Sequence, residues 1–178
     1  INGIWTKVPG DKLFNIINSR IDSGRVIVEN LGHLDEDVAQ LLAQTGYPGM
    51  RVLQFDLPNN YHEIINLDAN TVLYTGTHDN SPLMGWYKTL SSKKRNEINQ
   101  LLGITNSKEI HLRFIEFAYQ SPAKIVIVPF QDFYGWDSST RMNTPGTIGN
   151  NWDFRILSSD LNNELLKLIK TLTTTNGR

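Results

Sequence analysis

The sequence contains no cysteine among its 178 residues, which excludes disulfide bonds, thiol catalysis and thiolate metal sites. It also lacks an apolar run of about 18 residues, the length that a membrane-spanning helix requires. Basic residues are not in excess, because 17 lysines and arginines face 18 aspartates and glutamates. Nucleic-acid-binding domains are usually strongly basic, so we expect neither a nucleic-acid nor a membrane partner. A chain without cysteine suits the reducing cytoplasm, where we expect the protein to be located.

Length and composition indicate one globular domain over residues 1–178. Hydrophobic residues make up 39% of the chain and charged residues 20%, both ordinary values for a globular protein. A chain of this length can bury one sizeable core. Its first residue is Ile1 rather than an initiator methionine, so we expect a fragment of a longer protein.

Apolar runs and helical patterns alternate along the chain, which indicates a parallel α/β fold. Strands are predicted at residues 25–28, 50–55, 71–77 and 124–129, the last buried on both faces because it is apolar throughout. Helices are predicted at 11–21, 34–44, 82–87, 92–102, 107–120 and 161–172, and loops at 56–70 and 130–155. Four parallel strands with crossover helices fit either a small open sheet or half of an eight-stranded barrel.

Two of the predicted strands end in carboxylates. The strand at 71–77 leads into His78, Asp79 and Asn80, and the strand at 25–28 leads into Glu29. Ligands bind at the carboxyl ends of parallel strands. Enzymes that cleave glycosidic bonds use a pair of carboxylates. Glu29 is therefore either a turn residue or a general acid. A turn would also explain Asp79 and Asn80, but it leaves His78 unexplained.

Aromatic and amide side chains accumulate on the segments that follow the strands. Phe55 ends the second predicted strand, and the loop at 130–155 is rich in tryptophan, tyrosine, asparagine and glycine. Such a mixture suits carbohydrates, which have apolar faces and hydroxyl edges. A metal site is a weaker alternative, because His62 and His78 do not have the spacing of metal ligands.

Several of these motifs together resemble the 4-α-glucanotransferases, the family of amylomaltase or disproportionating enzyme. They occur in the order expected for that family and cover nearly the whole chain. The motifs are Val28–Gly32, Tyr47–Phe55, Tyr74–Asn80, Gly85–Tyr87, Arg141–Gly146 and Asn150–Trp152.

The resemblance implies the C-terminal half of a (β/α)8 TIM-type barrel, and an enzyme that transfers an α-1,4-glucan segment with retention. It implies that Glu29 is the general acid/base and that Asp79 stabilises the transition state. A maltooligosaccharide or starch-derived glucan is the implied substrate, and no cofactor is expected. The positions implied to bind the sugar are His78, Asn80, Phe55, Trp86 and Asn151.

Two departures from the family pattern matter. The family usually has aspartate where this chain has Asn30. The side chain beside Glu29 therefore keeps the shape of the family's residue but lacks its negative charge. The family's nucleophilic aspartate belongs to a strand before the one that carries Glu29, and neither Asp11 nor Asp22 lies in a matching motif. We therefore expect the isolated chain to be inactive, and its unpaired strand edges to cause self-association or low stability.

Two alternatives belong to other classes. A non-catalytic glycan-binding or interaction module would keep the aromatic residues but would need no acid/base. A small flavodoxin-like domain is the other alternative. Flavodoxin-like domains bind phosphate at a glycine-rich first turn, whereas this chain has Glu29-Asn30-Leu31-Gly32 there.

Overall fold

Helices and short parallel strands alternate in the computed structural model, which describes residues 6–32 and 35–178. The chain separates into two compact units, Ile1–Met50 and Arg51–Arg178, called here the first and the second unit. The predicted single domain over residues 1–178 stays a prediction. Among the described residues, no helix combines the length and the apolar character needed to cross a membrane.

The first unit contains helices α1 (Gly10–Asn18) and α2 (Glu36–Thr45). The Asp35 carboxylate caps α2 by accepting a hydrogen bond from the Val38 amide at 2.9 Å. Both helices confirm the predictions at 11–21 and 34–44, except that Leu34 lies outside the described residues. The two helices contact each other, and the Leu41 side chain occupies the space that a side chain at Gly10 would take.

The strand predicted at 25–28 is wrong except for a single residue. Ser23–Arg25 forms a 3₁₀ turn, and Val28 makes one isolated parallel bridge to Gly49. The cause is local turn chemistry, because Asp22 accepts hydrogen bonds from the amides of Gly24 (2.9 Å, side chain) and Arg25 (2.9 Å, backbone). These bonds fold the start of the apolar run back on itself before it can pair.

The described residues form one three-stranded sheet in the order β1 (Gly49–Val52), β2 (Thr71–Tyr74), β3 (Ile125–Ile127). Strands β2 and β3 run parallel, with Leu73 opposite Val126. The other helices are α3 (Leu53–Asn60), α4 (His62–Ile65), α5 (Leu83–Thr89), α6 (Ser92–Leu101), α7 (Ile110–Tyr119), α8 (Phe130–Phe133) and α9 (Asn163–Thr175). The parallel α/β class is thus confirmed, and so are the helices predicted at 82–87, 92–102, 107–120 and 161–172.

The loop predicted at 56–70 is wrong, because α3 and α4 occupy most of it. Arg51 fixes both helices, with its guanidinium 2.8 Å from the Asp56 carboxylate and 2.7 Å from the Glu63 carboxylate. The hydrogen bond to Asp56 and the second one to Glu63 raise the pKa of Arg51 above its usual value. The same segment shortens the predicted strand 50–55, since α3 begins at Leu53 and carries Phe55 on a helix.

The core of the second unit lies around α7. Phe114 is fully buried and receives the rings of Trp86 and Tyr87 edge-on, with centroids at 5.6 and 5.9 Å. The prediction that the strand at 124–129 is buried on both faces is wrong. Ile125 and Ile127 are 44% and 36% exposed, and their side chains share one face because side chains alternate along a strand.

Candidate functional site at the end of strand β2

The segment between β2 and α5 folds into a turn that carries His78, Asp79 and Asn80. Within it, the Asn80 side-chain oxygen accepts hydrogen bonds from the amide and the hydroxyl of Thr77, both at 2.8 Å. The Asp79 amide donates to the Thr77 hydroxyl at 3.2 Å. Asn80 therefore shapes the turn through its oxygen, which places Asp79 at the tip.

The Asp79 carboxylate is held on one side by two polar neighbours. Its Oδ1 accepts a hydrogen bond from Nδ2 of Asn143 at 2.6 Å and lies 3.3 Å from Nε2 of His78. The side chains of Asp79 and His78 remain 43% and 49% exposed. The sequence did not reveal the role of Asn143, although it lies in one of the motifs that carry the resemblance.

Residues 141–143 of the long loop are fastened to the turn through its backbone. The Arg141 guanidinium donates to the carbonyl oxygen of Asp79, and its Nε donates to the carbonyl oxygen of Asn143 at 2.8 Å. The Asn143 amide donates to the carbonyl oxygen of His78 at 3.1 Å. These bonds fix where Asn143 meets Asp79, so the loop is an ordered wall of the site.

Trp152 stands beside His78, with ring centroids 5.1 Å apart and planes tilted by 31°. Its backbone lies in the left-handed region at φ 66°, and its amide donates to the carbonyl of Met142 at 2.6 Å. A bulky residue rarely adopts this conformation, and such outliers cluster at functional sites. Trp152 is 51% exposed, which leaves an aromatic surface next to the imidazole.

Asn151, a predicted sugar-binding residue, is used within its own loop. Its Oδ1 accepts from the Thr144 amide at 2.9 Å, and its Nδ2 donates to the Thr147 hydroxyl at 3.1 Å. The side chain thus closes the loop that ends at Trp152.

The other two predicted sugar-binding positions lie on helices. Phe55 is 51% exposed on α3. Trp86, on α5, packs against Phe114 in the core and is only partly buried. Among the described residues, no group of three or more histidine, aspartate or glutamate side chains could hold a metal ion.

A cavity of about 180 Å³ opens beside the turn. Its walls include Thr77, His78, Asp132, Gln131, Arg141 and Met142. Gln131 is buried and donates through Nε2 to the carbonyl oxygen of Thr140 at 3.0 Å, which ties α8 to the long loop. Polar groups from the turn, from α8 and from the loop therefore converge on one concave space.

Asp132 is a buried carboxylate that the sequence did not single out. It is 0% exposed, and its two oxygens accept hydrogen bonds from the Leu83 amide and the Thr75 hydroxyl, each at 2.7 Å. Burial raises the pKa of Asp132 to about 6, although both hydrogen bonds act in the opposite direction. No local motif marked it, because its partners come from distant parts of the chain.

This raised pKa predicts a stability that falls as the pH rises. Between pH 4 and 6 the unfolded chain has released the Asp132 proton while the folded chain keeps it, so the ionised form disfavours folding. For a folded pKa of about 6, the free energy of unfolding should drop by about 1.4 kcal/mol from pH 5 to pH 7.5. Asp132→Asn should remove this drop in urea titrations at the two pH values. Asp153→Asn, on the surface, is the matched control and should keep the drop.

Glu29 lies in the first unit, directly after the Val28 bridge, and is exposed. The neighbouring Asn30 accepts a hydrogen bond from the Met50 amide through Oδ1 at 2.6 Å. An aspartate could accept the same bond, so Asn30 preserves the local geometry. Gly32 has φ 92°, a conformation that favours glycine. The role of Glu29 stays a prediction.

The chain is similar to known proteins over nearly all of its length. A family model described as 4-alpha-glucanotransferase matches residues 1–160. The chloroplastic/amyloplastic 4-alpha-glucanotransferase DPE1 of Arabidopsis thaliana is 39% identical over 88% of this chain and 28% of its own length. The 4-alpha-glucanotransferase of Clostridium butyricum is 35% identical over 99% of this chain and 37% of its own length.

A solved structure gives the same result for the fold. Amylomaltase from Streptococcus agalactiae in complex with acarbose matches with a TM-score of 0.91 and 31% identity, over 99% of this chain and 36% of that chain. The chain therefore spans between 28% and 37% of the length of these relatives. The resemblance predicted from the motifs is confirmed, and the chain belongs to the 4-alpha-glucanotransferase family.

Proposed function

We propose that this chain is part of a 4-α-glucanotransferase that transfers an α-1,4-glucan segment to glucose or to a maltooligosaccharide acceptor. The observation that carries the proposal is the setting of Asp79, at the end of β2, with Asn143 and His78 on Oδ1. The exposed ring of Trp152 beside His78 adds the aromatic surface on which sugar rings stack. The names of the relatives support the reaction and the glucan substrate.

In this proposal the two carboxylates have different tasks. Glu29 protonates the glycosidic oxygen of the leaving group and later removes the proton from the acceptor hydroxyl. Asp79 accepts hydrogen bonds from hydroxyls of the donor sugar and stabilises the positive charge of the oxocarbenium-like transition state. The proposed sugar-binding residues are His78, Asn80, Phe55, Trp86 and Asn151. The reaction moves a glycosyl group between oxygens, so it needs no redox cofactor.

We also propose that the chain forms the C-terminal half of a (β/α)8 barrel. The parallel pairing of β2 with β3 and the parallel Val28 bridge support this architecture. The exposed Ile125 and Ile127 on β3 are the apolar residues that a neighbouring part of a barrel would cover. The same residues favour self-association of the chain when it is alone.

The test is a hybrid enzyme, called here the hybrid amylomaltase, in which this chain replaces the segment of the Streptococcus agalactiae enzyme that it matches. With maltotriose, the hybrid amylomaltase should release glucose and form longer oligosaccharides. Residues 1–178 alone should release none, because the family's nucleophile is not among their motifs. A folded hybrid that binds maltotriose without turning it over would contradict the proposal and support the glycan-binding alternative.

A further inference from the structure

We propose that Asp132 is a positioning residue for Asp79, because its carboxylate holds both ends of the turn that carries His78 and Asp79. The inference rests on the proposed function, since it assigns Asp132 a part in the same reaction. One oxygen of Asp132 accepts from the Thr75 hydroxyl, just after β2, and the other accepts from the Leu83 amide, at the first residue of α5.

The two anchoring points are buried. Thr75, Leu83 and Asp132 are each 0% exposed, so water does not compete for these hydrogen bonds. The Thr75 amide also donates to the Ile127 carbonyl oxygen at 3.2 Å, which continues the contact between β2 and β3. The ends of the turn are therefore fixed to the sheet and to α5 through one side chain.

A second buried side chain supports the turn between its ends. Gln54, 5% exposed, donates through Nε2 to the carbonyl oxygen of Ser81 at 2.9 Å. The same nitrogen would lie 2.6 Å from a Cβ atom at Gly76, so the turn packs closely against it. With both ends and one interior carbonyl held, the position of Asp79 depends on Asp132.

Burying a carboxylate costs folding free energy, because the charge loses its hydration. An apolar side chain would fill the same volume at a lower cost. Two donors from different elements face Asp132, however, and removing their acceptor would leave both unsatisfied inside the protein. The carboxylate satisfies them together through its two separate oxygens, whereas an apolar side chain could accept neither bond. An asparagine can accept from Leu83 and donate to Thr75, so it should largely preserve the turn.

A direct contact with sugar is the competing role, because Asp132 also lines the cavity. The two roles predict different variants to be harmful. If Asp132 acts by positioning the turn, Thr75→Val should lower kcat, as Asp132→Leu does. The Thr75 substitution removes one of the two donors at nearly constant volume. Direct sugar binding predicts that Thr75→Val is harmless and that Asp132→Asn raises KM.

The decisive experiment compares four variants of the hybrid amylomaltase with maltotriose. Asp132→Leu should lower kcat about 10- to 100-fold with KM changed less than about 3-fold, since the misplaced group acts on the transition state. Thr75→Val should lower kcat about 3- to 10-fold, and the double variant should be no worse than Asp132→Leu. Asp132→Asn should retain kcat within about 3-fold. An Asn variant as poor as the Leu variant would overturn the proposal.

Amide hydrogen exchange on the 178-residue chain provides a readout that does not need activity. Asp132→Leu and Thr75→Val should speed amide exchange of residues 77–81 and Leu83 at least about 10-fold and leave α6 unchanged. Ile98→Ala, a buried truncation on α6, is the control and should leave the turn protected. Unchanged exchange in the turn of the two variants overturns the inference. If exchange is faster in the variants but the unsubstituted hybrid amylomaltase is inactive, only the proposed function is overturned. Thr75→Val carries the test if Asp132→Leu does not fold.

Discussion

Replacing Glu29 by glutamine should lower maltotriose disproportionation by the hybrid amylomaltase about 100- to 10,000-fold, the range for loss of a general acid/base. Glutamine has nearly the same shape but cannot deliver a proton to the glycosidic oxygen. The neighbouring backbone should be unaffected, because Val28 pairs with Gly49 and Asn30 binds Met50 through groups that the substitution leaves alone. The measurement is the rate of glucose release under saturating maltotriose.

A donor that needs no protonation separates this role from a general loss of structure. Fluoride leaves a glycosyl fluoride without a proton, so the first release of fluoride from α-maltosyl fluoride, measured as a burst, should suffer far less than the first cleavage of maltotriose. Later turnovers should be slow with both donors, because transfer to the acceptor hydroxyl still lacks its base. Glu36→Gln, in the first turn of α2, is the matched control and should retain both activities. Equal losses of the first cleavage with the two donors would show that Glu29 is not the acid.

The sequence was sufficient to predict those elements whose signals are local. Helix α2 has its Asp35 cap, acidic first turn and Gly46 at its end within a dozen residues, and it appears where the pattern placed it. The turn after β2 was also predictable, since Thr77 and Asn80 bond within it. A strand tip that bears Asp79 needs only neighbouring residues to be recognised.

The missed features depend on partners far away in the chain. Asn143 meets Asp79 across 64 positions, and Asp132 meets Thr75 across 57. Arg51 orders α3 and α4 through ion pairs with Asp56 and Glu63, which a polar composition does not disclose. In the same way, the apolar run at β3 predicts burial, but the exposure of a strand depends on which elements cover it.

Asp79→Asn should lower turnover of the hybrid amylomaltase about 1,000-fold, and it should do so with both maltotriose and α-maltosyl fluoride. The negative charge of Asp79 is proposed to stabilise a cationic transition state that forms whichever group leaves. Asparagine keeps an oxygen that can accept from Asn143 Nδ2, the bond that measures 2.6 Å in the aspartate protein. The turn should therefore stay in place, and the loss should appear in kcat.

The losses of activity with the two donors then assign a role to each of the two carboxylates. A loss of the first cleavage with maltotriose alone marks the proton donor, and a loss with both donors marks the group that stabilises charge. Asn143→Leu removes one hydrogen bond from Asp79 but not its charge, so it should cost only about 10-fold. Asp153→Asn, on the surface, is the control and should be fully active. If Asp79→Asn turned over α-maltosyl fluoride normally, the carboxylate would serve ground-state binding or leaving-group protonation, and charge stabilisation would have to come from elsewhere.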